Sequence, residues 1–413
     1  MALSFRVGRG ILSTLSPPIP QAHEWANAYK ATPARPLLNM SQGVPGIPPP
    51  PELQRALGAA AASQESFGYT VPEGDLSMRN ALAAEMKHIY GNSCDVTSSD
   101  IALTTGCNLA FVASIMALTD AGDEVILPVP WYFNHQMTLS MLGLETVCLR
   151  TYPEDGFQPS IERCEKLITP KTRAIALVTP NNPTGSIYSA ELLAQFVKLA
   201  TDKGVALIID ETYRDFITSG EPPHALFASD AWRRTVVHCY SFSKAYCIPG
   251  HRLGAIVAAP EFLTHVKTVL DTVQICPPRV VQLALGPLLP SLRDFVAETA
   301  RAVEHRHVLF RNALPPSWRL GAQGGYYAFV RHPFKHVAAF DVCKRLATEM
   351  GVVTLPSAFF CEQKVGGEVK EVTVEEEDKW IRFSVANIND EKVQKVCERL
   401  KESETALGWE LEG

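Results

Sequence analysis

The sequence has no uninterrupted apolar run near the roughly 18 residues that a membrane-crossing helix requires. It also lacks a strong excess of either charge. Its 38 lysines and arginines against 44 acids leave a formal net charge of -6, with the basic residues scattered along the chain. Neither a nucleic acid nor a membrane is therefore expected as a partner. None of the ten cysteines forms a CxxC pair, and no Cys/His group has zinc-finger spacing. Reduced, partly buried thiols are expected, and no metal site. There is no internal repeat. What remains is a 413-residue chain, 46% hydrophobic and 20% charged, with the balance of a globular protein and the length of two domains.

The first 20 residues carry Arg6 and Arg9 and no acid, a faint likeness to a transit peptide. Interrupted apolar stretches and few arginines point instead to an ordered N-terminal arm and a cytoplasmic protein. Residues 19–51 are rich in proline and glycine, which predicts an extended arm. From about residue 75, helical stretches (about 75–90, 107–120 and 190–203) alternate with short apolar runs at 101–104, 124–127, 145–149, 174–178, 205–209, 235–239 and 255–258. Short runs without polar alternation suit strands buried on both faces, as in a helix-covered parallel sheet. After about residue 290 the pattern loosens into a long helical stretch, 291–314, and candidate strands at 326–330 and 380–385. Residues 364–379 are acidic and predict a solvated loop. The expected organisation is an arm (1–44) joined to a small α+β domain (291–413), around a large α/β domain (45–290) with a mostly parallel seven-stranded sheet.

The strongest chemical signal is Ser241-Phe-Ser243-Lys244, followed by Pro249-Gly250 and, eight residues after the lysine, Arg252. A lysine whose surroundings lower its pKa can form an imine with an aldehyde. The two hydroxyls and the planar guanidinium could converge on a phosphate. A lone lysine is ordinarily a solvated surface group. The fixed spacing directly after a buried strand argues otherwise.

This segment resembles the Schiff-base signature of the class I/II aminotransferases, fold-type I enzymes dependent on pyridoxal 5′-phosphate (PLP). The resemblance runs from about residue 37 to 386. It implies that Lys244 is the Schiff-base lysine, with Ser241, Ser243 and Arg252 on the cofactor phosphate. Asp210, in Ile208-Ile-Asp210-Glu-Thr-Tyr213, ends a buried strand, where open α/β sheets place ligand groups. By resemblance it pairs with the pyridine nitrogen, while Tyr213 bonds the ring's phenolic oxygen. In Asn181-Asn182-Pro183-Thr-Gly185 the motif assigns Asn182 to that oxygen and to the substrate carboxylate. The turn Gly106-Cys107-Asn108 opens a helix whose free N–H groups suit a phosphate. In the family the middle residue is more often alanine or glycine than cysteine. Pro128-Val-Pro130-Trp131-Tyr132 resembles the segment whose aromatic stacks on the ring, pointing to Tyr132, with Trp131 as the alternative.

Arg382, in an apolar strand, is costly there unless it meets an anion. The resemblance makes it the clamp for the substrate α-carboxylate, with Gly43 in the arm loop approaching the substrate through its backbone. Tyr69, followed by Gly74 and Arg79, resembles a tyrosine that crosses to the neighbouring subunit's phosphate, implying a homodimer with shared sites. The chain departs from the family in Pro356-Ser357-Ala-Phe359, where a glycine is missing. The implied activity is transfer of an amino group between an amino acid and a 2-oxo acid. An alternative is a PLP-dependent lyase, decarboxylase or carbon–carbon bond-forming enzyme on the same scaffold. A DNA-binding sensor is disfavoured by the absence of a basic segment. Arg279 is a candidate for a distal substrate carboxylate. Trp25, Tyr29, Tyr132, Tyr326 and Tyr327 would instead admit a large apolar or aromatic side chain.

Overall fold

The computed structural model describes residues 4–362 and 377–412. The arm is not wholly extended: Pro18–Ala28 is a helix. Pro18 and Pro20 both fall in its first turn, where backbone N–H groups have no intrahelical acceptor to lose. The chain then forms a short strand, β1 (Leu38–Asn39).

The large sheet contains β2 (Ile101–Thr104), β3 (Glu124–Val129), β4 (Glu145–Arg150), β5 (Thr172–Val178), β6 (Ala206–Asp210), β7 (Val236–Ser241) and β8 (Gly254–Val257). Each apolar run singled out in the sequence lies on one of them. Their order across the sheet is β2-β8-β7-β6-β5-β3-β4. All neighbours pair in parallel except β8, which runs against both β2 and β7. Alternation along β5 shows why the strands read as continuous apolar runs. Ile175 and Leu177 enter the core on one face, and Ala174 and Ala176 that on the other. Burying a Leu or Ile contributes about 1.5–3 kcal/mol, and cutting Leu177 to alanine should cost about 2–5 kcal/mol.

The helices Arg279–Leu285 and Arg293–Ala313 are joined by a 3-10 segment, Gly286–Leu292. By length and composition alone this run could cross a membrane. Here Val281, Leu285, Leu289 and Leu292 are spent on the core that Ile175, Leu177 and Leu207 of the large sheet also enter.

The remaining strands are β9 (Arg319–Gly324), β10 (Tyr327–Arg331), β11 (Val352–Val353), β12 (Leu355–Pro356) and β13 (Trp380–Ser384). Four form an antiparallel sheet in the order β12-β13-β10-β9, while β1 pairs in parallel with β11. The arm residues Ala22, Trp25, Leu38 and Met40 share one core with Phe310, Leu346, Ile381 and Leu400. Residues 364–376 of the expected acidic loop lie outside the described residues. Lys379, read as part of that loop, is instead buried. Its amine donates to Phe334 O at 2.5 Å and to Glu412 at 2.9 Å, which is why a lysine is tolerated there.

Candidate active site

Strands β2, β3, β5, β6 and β7 all point the same way. The loops that follow them meet at one edge of the sheet, where ligands bind in open α/β folds. A cavity of about 420 Å³ opens there, closed from above by the arm, β10 and β13. Among the residues singled out in the sequence, Gly43, Cys107, Asn108, Tyr132, Asn182, Asp210, Tyr213, Ser241, Ser243, Lys244, Arg252 and Arg382 line it. Tyr69 does not: it is 78% exposed on the outer surface. Trp131 is packed in the core, leaving Tyr132 as the aromatic that faces the cavity.

One end of the cavity is a cradle for an anion. Gly106 has φ +79°, and a Cβ on it would come within 2.0 Å of the Arg252 guanidinium, so only glycine admits this approach. The helix Cys107–Leu118 begins here, and its first N–H groups have no helical acceptor. Arg252, at φ +53°, is steered by a bond from Nη1 to Pro249 O at 2.9 Å. The Ser241 and Ser243 side chains complete the lining. One guanidinium, two hydroxyls and a helix N-terminus form a donor set suited to a phosphate.

Lys244 lies in the short turn Phe242–Ala245 directly after β7. Its Nζ donates to Gly43 O at 2.5 Å. Burial, and then the positive charges of Arg252 and Arg382, bring its pKa down from 10.5 to about 8. A neutral, nucleophilic amine is therefore within reach at mildly alkaline pH.

Asp210 closes β6 and is buried. Burial alone would raise its pKa. His135 Nε2 at 3.4 Å and the Thr212 hydroxyl and N–H, at 2.7 and 3.0 Å, outweigh that and hold it below the ordinary value. The Cys107 thiol also points at Oδ1, at 3.6 Å. The result is a fixed anion on the cavity floor, fit to meet a protonated ring nitrogen. His135 is itself held by stacking on Phe111, with ring centroids 3.8 Å apart.

The opposite end is built around Arg382 on β13. It is 2% exposed, donates from Nη1 to Asn182 Oδ1 at 2.8 Å, and also bonds Ser41 O. The faces of Tyr327 and Phe360 flank it, with ring centroids 4.6 and 4.9 Å away. No carboxylate pairs with it among the described residues, and its Nε has no acceptor there. A buried arginine so placed is costly until an anion arrives. Phe360 comes from the segment that departs from the family pattern, where Ser357–Phe360 form a 3-10 turn.

Tyr213 shares a 2.7 Å hydrogen bond with the hydroxyl of Tyr327 on β10. A Cβ on Gly43 would lie 1.9 Å from that Tyr327 hydroxyl, so the arm loop passes only as glycine. Tyr132 donates to Asn108 at 3.2 Å and accepts from Asn134 at 2.8 Å. Beyond these, Pro17, Ile19, Val44 and Phe133 form an apolar wall. His135, Thr212 and Phe133 were not singled out in the sequence. The one signal for His135 is its place one helical turn after Tyr132.

The whole donor set fits PLP: a phosphate cradle at Arg252, an amine at Lys244, and an anion at Asp210 facing a ring-sized space. A family model described as aminotransferase class I and II matches residues 35–400. A valine–pyruvate aminotransferase of Mycobacterium tuberculosis is 33% identical over 345 residues, 81% of this chain and 86% of that protein. An aromatic aminotransferase of Arabidopsis thaliana is 27% identical over 328 residues, 77% of this chain and 81% of its own. Among solved structures, the aspartate aminotransferase of Thermus thermophilus with maleate superposes with a TM-score of 0.83 at 24% identity. That match covers 96% of this chain and 99% of the other, and shows a common fold.

Proposed function

The chain belongs to the class I and II aminotransferases, and we propose that Lys244 carries its reaction on amino acids with a large, uncharged side chain. It is a pyridoxal phosphate-dependent enzyme that moves an amino group between an amino acid and a 2-oxo acid. One observation supports the substrate class above others. The cavity is lined by three cations, Lys244, Arg252 and Arg382, each of which has a task already. Among the described residues none is left for a distal carboxylate, and the remaining wall of Pro17, Ile19, Val44 and Phe133 is apolar. Arg279 does not line the cavity of its own chain. It lies against Gly68 O at 3.4 Å and 3.7 Å from Asp75.

Arg252, Ser241, Ser243 and the N–H groups at Gly106–Asn108 would hold the cofactor phosphate. Asp210 would hold the ring nitrogen protonated, Tyr132 would cover one ring face, and Tyr213 and Asn182 would donate to the phenolic oxygen. When bound, the cofactor withdraws the electron pair left at the substrate Cα and stores the amino group between the two halves of the reaction. Arg382 would bind the substrate α-carboxylate, its Nε being the group without an acceptor among the described residues, and this would fix the orientation of Cα. Lys244, neutral above about pH 8, takes the Cα proton and returns it on the other side of the transfer.

A homodimer with shared sites is part of the same reading. Phe67, Tyr69, Val71, Leu76, Val273 and Ile275 are all large, apolar or aromatic, and between 45% and 78% exposed. The two segments carrying them are tied together by the Arg279–Gly68 and Gln274–Pro72 bonds, so they form one surface. A patch of this kind marks an interface. Mixing the holoenzyme with phenylalanine, leucine, methionine, aspartate and glutamate, and following loss of the visible cofactor band, tests the substrate class. Fastest conversion by the large neutral amino acids is expected; fastest conversion by aspartate or glutamate overturns it.

A further inference from the structure

Behind the cavity, across the segment 210–216, lies a set of buried charges that the reaction does not use. Glu211 is fully buried. Its Oε2 accepts from the Tyr90 hydroxyl at 2.5 Å and lies 3.1 and 3.0 Å from Nε2 of His224 and His238. The N–H of Leu226 points at His224 Nδ1 at 3.3 Å, which leaves Nε2 as the nitrogen facing Glu211. His238 Nδ1 has no partner among the described residues, which suits a neutral ring, since a cation would leave a buried N–H unmet. Three donors therefore surround one carboxylate oxygen.

The cation of the group is one step away. Arg214, also buried, donates from Nη1 to the same Tyr90 hydroxyl at 3.1 Å, and its guanidinium lies over the Tyr240 ring at 3.8 Å. Asp215, 3.9 Å from Arg214, accepts from Tyr240 at 2.8 Å. Glu211 and Arg214 are the two ends of a single turn, closed by the Arg214 N–H donating to Glu211 O at 3.1 Å. The Tyr90 hydroxyl bonds both their side chains and so clips the turn from behind. The two residues within it face the other way. Thr212 bonds Asp210, and Tyr213 lines the cavity and meets Tyr327.

Buried ionic groups seldom add stability over well-packed apolar side chains, but they can specify one geometry. Here the geometry specified is that of the turn carrying Tyr213. We propose that the Tyr90–Glu211–Arg214 clip is a positioning device that fixes the reach of Tyr213 toward the cofactor's phenolic oxygen, without touching cofactor or substrate. This rests on the assignment of Tyr213 above.

The test uses the holoenzyme and the pH midpoint of its visible absorbance. A donor to the phenolic oxygen matters most once the neighbouring nitrogen has lost its proton, because the oxygen's charge is then no longer shared with that proton. Loss or displacement of the donor therefore raises the midpoint. Tyr213→Phe sets the ceiling. Glu211→Gln and Tyr90→Phe are each expected to raise the midpoint by a smaller amount, about three- to tenfold in proton affinity, or roughly 0.5–1 pH unit. In the Tyr213→Phe background neither adds anything, because the effect runs through that hydroxyl. Tyr90→Phe removes one oxygen atom and carries the test should Glu211→Gln fail to fold. A midpoint unchanged in the variants that fold, or a shift that persists in the Tyr213→Phe background, overturns the proposal. A merely structural role would lower melting temperature and leave the midpoint in place. If Tyr213→Phe itself leaves the midpoint unmoved, the failure lies in the assignment of Tyr213, and the clip falls with it.

Discussion

On the large-sheet side of the cavity, Asp210 ends β6, Lys244 follows β7 and Arg252 directly precedes β8, three adjacent strands, and Asp210 and Arg252 have fixed partners close by in the chain. On the facing side, Arg382, Tyr327 and Gly43 come from β13, β10 and the arm, and Arg382 keeps a buried Nε with no acceptor among the described residues. The first side is complete before any substrate arrives; the second is completed by an anion. This is the division expected of an enzyme that keeps its cofactor and exchanges its substrates. Permanent contacts can be preorganised, whereas exchangeable ones must leave a charge to be met.

Substitutions on the two sides should therefore separate cofactor binding from substrate binding. The largest effect is expected for Lys244→Ala, which removes both the amine that anchors the cofactor and the base; turnover should fall by at least roughly 10²–10⁴-fold. Arg382→Leu should keep the cofactor bound yet lower kcat/KM by roughly 10²–10³-fold, the cost of leaving a substrate carboxylate unmet in a buried site. A loss of cofactor in that variant would erase the distinction between the two sides. Phe133→Ala should lower kcat/KM about tenfold for phenylalanine and leave alanine nearly unaffected, as removing one wall of an apolar pocket does. Equal losses for both amino acids would place Phe133 outside the side-chain pocket.

The smallest effect concerns pH. Lys244 binds its proton less tightly when folded, with a pKa of about 8 against 10.5 for the free side chain. Between those values the unfolded chain holds more protons, so stability of the cofactor-free enzyme should rise as pH goes from 8 to 10.5. A Lys244→Met variant should lose that component of the slope in urea unfolding.

The cofactor side was legible because its residues come in short motifs after strands, where spacing alone carries the geometry. Lys244 to Arg252 and Asp210 to Tyr213 each span one turn region. Most strands of the large sheet were legible because both faces are covered, leaving apolar runs; β4, at the sheet's edge, is only partly buried. The helix at Pro18–Ala28 was hidden by prolines, which break helices everywhere except in the first turn. His135 was missed because a histidine one turn into a helix has no pattern of its own until Asp210 is seen 3.4 Å away. The Tyr90–Glu211–His224–His238 group brings together residues up to 148 positions apart, and no local spacing announces it. Tyr327 was noted only as an aromatic; its contact with Tyr213 joins the turn after β6 to β10 of the smaller sheet.

The central claim is that the amine of Lys244 is the one that holds the cofactor. Reducing the reconstituted holoenzyme with borohydride and mapping the peptides by mass spectrometry tests it most directly. The cofactor mass is expected on the peptide containing Ser243-Lys244-Ala245, and its appearance on any other lysine, or on none, would contradict the account.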